Sequence, residues 1–111
     1  MVHLKNLPST EAAPLASLIS ARGRQVASKS LVESDAFSLL LLAFDAAETI
    51  SEERYPGDVL YLVLEGRVDV VLPERRCTLE AGQVLEVTAG TLHALEAPGP
   101  VKLLQLGLAG A

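Results

Sequence analysis

The sequence predicts an all-β fold, an antiparallel sandwich or barrel, and three observations lead there. From residue 58 onward, strand-like stretches of about five residues recur, with Gly or Pro breaking them roughly every 8 to 12 positions. Val, Leu and Tyr dominate the first of these, Asp58-Val-Leu-Tyr-Leu-Val-Leu64, a strongly β-prone stretch. No solenoid-length repeat, low-complexity segment or linker divides the chain, so the strands belong to one unit.

Taken in order, residues 1–23 read as an N-terminal arm, and residues 24–111 as a single barrel domain. The arm mixes polar residues with Pro8 and Pro14 and either crosses the body or pairs with a neighbour. A short helix can start at Ser9-Thr10-Glu11, where a hydroxyl accepts the unpaired amides of a first turn, but Gly23 stops it early. Residues 25–32 alternate loosely, as a strand does, and end in Glu33-Ser34-Asp35. Phe37–Phe44 is a continuous apolar run that periodicity alone cannot separate from a helix; the turn residues on both sides favour a buried strand. Residues 49–55 are polar and irregular, closed by Pro56-Gly57. The run 58–64 then turns at Glu65-Gly66 into residues 67–72, which reads as a hairpin. Turns at Pro73-Glu74, Ala81-Gly82, Ala89-Gly90 and Pro98-Gly99-Pro100 separate four further strands.

Bulk properties narrow the function. With 111 residues the chain can bury roughly two thirds of its unfolded surface. Half the residues are apolar but only 4% are aromatic, so the core is aliphatic. A net charge of −5, with no basic cluster longer than Arg75-Arg76, excludes the electrostatic footprint of a nucleic-acid binder and disfavours anionic membranes. The single Cys77 makes no intramolecular disulfide and reads as a half-buried strand residue. Glu11 and two prolines sit where a secretory signal needs an apolar run, and no segment has the length of a membrane span, so the expected location is cytoplasmic.

One stretch carries a family resemblance. Gly82-Gln-Val-Leu-Glu-Val-Thr-Ala-Gly-Thr-Leu-His93 resembles the second motif of the cupins: a glycine, five residues, a Pro-x-Gly-like turn, two residues and a histidine. Thr88 stands where the family usually has proline. Residues 58–66 resemble the frame of the first motif, with an acid before the strand and a glycine closing it. The resemblance, to small single-domain cupins of the cupin-2 kind, implies a double-stranded β-helix, a jelly-roll barrel of two antiparallel sheets.

It also implies a site. The family's metal ligands, two histidines, an acid and a final histidine, fall on Ser51, Glu53, Asp58 and His93, and only His93 retains its imidazole. Glu53, Asp58 and His93 form an oxygen-rich set for a divalent ion such as Mn, Fe or Zn, so any metal is expected to be weakly held or absent. Without metal, His93 pairs with Asp58 or Glu53 as a buried polar cluster. If Asp58 points inward, alternation sends Leu60, Leu62 and Leu64 inward too, giving an apolar pocket with a polar mouth, lined by Ser51, Tyr55, Leu60 and Leu62. Glu86 faces solvent or a subunit contact, or adds another acid to the pocket. His3 is expected to be solvated.

Val59, Tyr61 and Val63 then face outward as an apolar row, the basis for expecting a homodimer. Three functions remain open from sequence: a barrel binding an unknown small molecule in its pocket, a metal-dependent dioxygenase, isomerase or decarboxylase, and a degenerate structural or interaction protein whose barrel is filled and dry.

Overall fold

The computed structural model describes residues 2–110; Met1 and Ala111, the outermost residues of the expected arm and barrel, lie outside the described residues. The strands are β1 (His3–Leu4), β2 (Val26–Ser30), β3 (Val32–Glu33), β4 (Phe37–Phe44), β5 (Glu48–Glu53), β6 (Val59–Glu65), β7 (Arg67–Val71), β8 (Arg76–Glu80), β9 (Val84–Val87), β10 (His93–Ala97) and β11 (Val101–Leu108). They form a five-stranded sheet in the order β2-β4-β11-β6-β9, a four-stranded sheet β5-β10-β7-β8 and a small ribbon β1-β3. Every pairing is antiparallel.

The two larger sheets meet through their apolar faces. Leu42, Phe44, Tyr61, Val63 and Leu103 from one pack against Val68, Val70, Leu79 and Leu95 from the other. As expected from its apolar run, β4 is an interior strand, held between β2 and β11. The sheet's outer face is apolar as well, and the arm lies against part of it. Leu7, Leu15, Leu18 and Ile19 cluster there with Leu31, Leu41, Ala43, Leu64 and Leu104. Two lysines fasten the arm: Lys29 Nζ donates to the Leu18 carbonyl at 2.5 Å, and Lys102 Nζ to that of Ala16 at 2.7 Å.

Four expectations are corrected. The short helix starts not at Ser9 but after Pro14, as a single 3-10 turn over Leu15–Leu18, where Ser17 donates both its amide and its hydroxyl to the Pro14 carbonyl. The polar stretch 49–55 contains a strand, β5; it lies at a sheet edge beside β10 and is mostly exposed, so it needs little apolar residue content. Residues 58–72 do not form a hairpin, since β6 and β7 lie in different sheets. Gly66 instead turns the corner between sheets, with φ +82°, and a Cβ there would stand 2.4 Å from the Pro100 carbonyl oxygen. Residues 98–100, which make another of the crossings between the sheets, from β10 to β11, occupy that same corner.

The fourth correction concerns the faces of β6. Val59, Tyr61 and Val63 are buried in the barrel core at 2%, 1% and 0% exposure, while Leu60, Leu62 and Leu64 point to the outer face. Gln105 of β11 pairs with Tyr61 in register and faces inward with it, which sets the parity of both strands.

Candidate functional site

The site is built where the loop 54–58 meets the turn 88–91. Gly90 has φ +78°. Its amide donates to the Tyr55 carbonyl at 2.8 Å, the Ala89 amide donates to Asp58 Oδ1 at 2.8 Å, and the Thr91 amide closes the turn on the Thr88 carbonyl at 3.1 Å. These bonds deliver His93 as the first residue of β10, opposite Glu53 of β5.

His93 is 3% exposed, and both of its ring nitrogens are engaged. Nδ1 lies 2.9 Å from the Thr91 carbonyl oxygen. A carbonyl only accepts, so Nδ1 carries the hydrogen, and Nε2 of the neutral ring receives the Tyr61 hydroxyl at 2.8 Å. Tyr61 meets the imidazole edge to face at 5.7 Å between centroids, and Tyr55 tilts toward it at 5.9 Å. The Tyr55 hydroxyl donates to Glu53 Oε2. Burial, followed by the hydrogen bond and charge of Glu53, pushes the Tyr55 phenol up to about 12, with the Gln105 amide acting the other way. Burial, helped by Tyr55 and Glu53, pushes Tyr61 higher still. Both phenols therefore stay protonated at neutral pH and serve as donors.

This donor set does not fit the metal that the resemblance implies. The imidazole lone pair is taken by Tyr61, Glu53 is held by Tyr55, and Asp58 binds the turn amide outside the strand instead of pointing into the barrel. Among the described residues no three His, Cys, Asp or Glu converge on a point. Ser51 is exposed on β5. Leu60 and Leu62 line no pocket inside the barrel, being on its outer face, and Glu86 is exposed beside an open depression that it shares with Arg75 and Thr88. His3 is exposed, on β1.

A cavity of about 300 Å³ does open at the barrel mouth. Ser38, Val59, Gln105 and Gly107 of the five-stranded sheet line it, Tyr55 walls it on the side of His93, and Asp35 sits at its rim. Gln105 is 8% exposed, a polar group set deep in an apolar strand. Gly107 keeps the wall open, since a Cβ there would come 3.0 Å from the Ser38 hydroxyl. Of the expected residues, the structure thus gathers Glu53, Tyr55 and His93, and adds Tyr61 and Gln105. Gln105 was findable: it is the lone uncharged polar residue in Val101-Lys-Leu-Leu-Gln-Leu106, at even spacing from Val101 and Leu103.

Two antiparallel sheets closed over an aliphatic core, with a histidine turn at one end, define a jelly-roll barrel of the double-stranded β-helix class. The chain belongs to the cupin family: the family model described as a cupin domain matches residues 40–107. It is similar, at 42% identity and a TM-score of 0.94, to the crystal structure of a cupin superfamily protein from Desulfitobacterium hafniense, over 96% of this chain and 98% of that one. A conserved protein of unknown function from Streptococcus pyogenes shares the fold at 20% identity, with a TM-score of 0.90 over 100% of this chain and 97% of that one. So does a cupin 2 conserved barrel domain protein from Leptotrichia buccalis, at 20% identity and a TM-score of 0.86, over 96% of this chain and 51% of that one. A search of curated proteins finds no significant match. Among the described residues, no helix is long and apolar enough to cross a membrane.

Proposed function

We propose that this cupin binds a small organic molecule in the mouth cavity, without a metal. The observation that carries the reading is the combination of an open volume of about 300 Å³ with a buried amide, Gln105, on its wall. That volume is at the lower end of small-molecule sites, and a few polar groups beside an apolar wall, here Gln105 and the serine hydroxyls against Phe37, Val59 and Leu108, are how such sites orient a ligand. The barrel beyond Tyr55 is filled by His93 and Tyr61, so the ligand stays on the outer side of the Tyr55 ring. The test is a thermal-shift screen with a metabolite panel on the natural chain and on Gly107→Val, whose side chain occupies the cavity. A ligand at about 100 times its Kd adds about 2.7 kcal/mol, a shift of several degrees. The natural chain shifts and Gly107→Val does not; a panel with no shift for either removes the reading.

The partner expected from sequence is a second copy, there placed on Val59, Tyr61 and Val63; with those buried, we propose the opposite face of β6 for that contact. Leu60, Leu62 and Leu106 stand outside both hydrophobic clusters, and Val84 beside them is 56% exposed. This row is uncharged on a chain of net charge −5. Two copies related by a two-fold axis bring this apolar row onto itself, with Glu86, in register with Leu60 on the same face, at its border.

A further inference from the structure

The lining of the mouth cavity is one-sided in charge, and this bears on what it takes. Among the described residues, no Lys, Arg or His lines it. What it presents is the Tyr55 ring, the Gln105 amide, the hydroxyl groups of Ser34 and Ser38, and the Asp35 carboxylate at the rim. Behind the ring stands a second carboxylate, Glu53, bonded to the Tyr55 hydroxyl.

We infer that the cavity takes a small organic amine in its ammonium form and rejects carboxylates and phosphates. The inference rests on the binding reading above and names the ligand class for that site. An anion entering the mouth gives up water and meets two carboxylates with no cation to replace its hydration, which is unfavourable whatever its shape. An ammonium group meets the opposite field. The face of a tyrosine ring attracts a cation, Asp35 adds a partly solvated counter-charge, and the Gln105 carbonyl and the serine oxygens accept its N–H groups. The apolar part of the ligand lies against Phe37, Val59 and Leu108, which also line the cavity. Because the rim carboxylate is exposed, it contributes a modest, salt-sensitive share.

Three probes of one size separate the cases: benzylamine, benzyl alcohol and benzoate, titrated calorimetrically into the intact chain at low and high salt. The expected order is amine, alcohol, benzoate, with benzylamine about tenfold or more tighter than benzoate at low salt. In Asp35→Asn, on an exposed rim, the amine preference over the alcohol shrinks and loses its salt dependence. Benzoate binding as tightly as benzylamine overturns the inference and leaves the binding reading standing. An amine preference that survives in both Asp35→Asn and Tyr55→Leu also overturns it, since the charge is then read elsewhere. If none of the three binds at millimolar concentration, the binding reading falls and this inference with it.

Discussion

The Tyr61 hydroxyl donates to His93 Nε2 at 2.8 Å, inside a barrel where the two residues are 1% and 3% exposed. The bond ties the five-stranded sheet to the four-stranded one through polar atoms in a mostly apolar layer. It also uses the electron pair with which that imidazole would bind a metal.

Tyr61→Phe keeps the ring and strands the imidazole nitrogen in a dry core. We expect it to lower stability by about 1–3 kcal/mol in urea unfolding. Removing both partners, as Tyr61→Phe with His93→Leu, should cost less than the two single losses added together, because no polar atom is left unpaired. A loss below about 0.5 kcal/mol in the single variant would show that the bond is not made in solution.

The alkaline limb of stability follows from the same phenols. Tyr55 is raised to about 12 and Tyr61 further, whereas an unfolded tyrosine titrates near about 10. A raised folded value means the contribution is fully present below the unfolded value and fades as pH climbs through the folded one. The native chain has no tryptophan and only these two tyrosines, so its phenolate absorbance should stay flat through about pH 10 and rise with unfolding above about 11. A rise in the folded protein near pH 10 contradicts the burial described. On the acid side, the Thr78 hydroxyl and then Arg76 hold the half-buried Asp69 below its usual value, so that small contribution is present above about pH 4 and lost as pH falls.

Gly57 is the tightest backbone approach near the cavity. A Cβ there would stand 2.0 Å from the Leu108 carbonyl oxygen, and backbone cannot step aside as a side chain can. Gly57→Ala should therefore destabilise by about 1–3 kcal/mol or more and disturb the wall formed by Leu108 and Pro56. Gly99→Ala meets nothing within 4 Å and should stay within about 0.5 kcal/mol of the natural chain. Chemical unfolding of the pair reads the difference, and equal stabilities would contradict the packing.

The outer leucine row gives the assembly test. Light scattering at micromolar concentration should return a dimer mass, and Leu62→Glu or Leu106→Glu should return a monomer with an unchanged far-ultraviolet spectrum. A monomer mass for the natural chain rules out the second copy as partner.

How far the sequence carried this description depends on where it labels its own geometry. The run Phe37–Phe44 shows itself as a buried strand because eight residues hold one polar group between turn-forming flanks. Residues 59–64 are all apolar, so nothing local says which half of them faces in, and the choice of Asp58 as an inward marker put the leucines on the wrong side. Asp58 lies before the strand and its carboxylate answers to a turn amide instead. The informative label was on a neighbour: Gln105 pairs with Tyr61, and both polar groups lie inside. The corner at Gly66 was illegible for another reason, since a glycine linking two strands looks the same whether the second strand folds back or changes sheet. The strand β5 escaped because an exposed edge asks for pairing and little else.

The turn 88–91 is held almost wholly by main-chain amides, while the Ala89 side chain is exposed and bonded to nothing. Position 89 is therefore a ready-made mounting point. A fluorophore coupled there through Ala89→Cys, with Cys77 replaced, would ride on a rigid support beside Tyr55 and read out whether the proposed ligand enters, without touching the cavity lining.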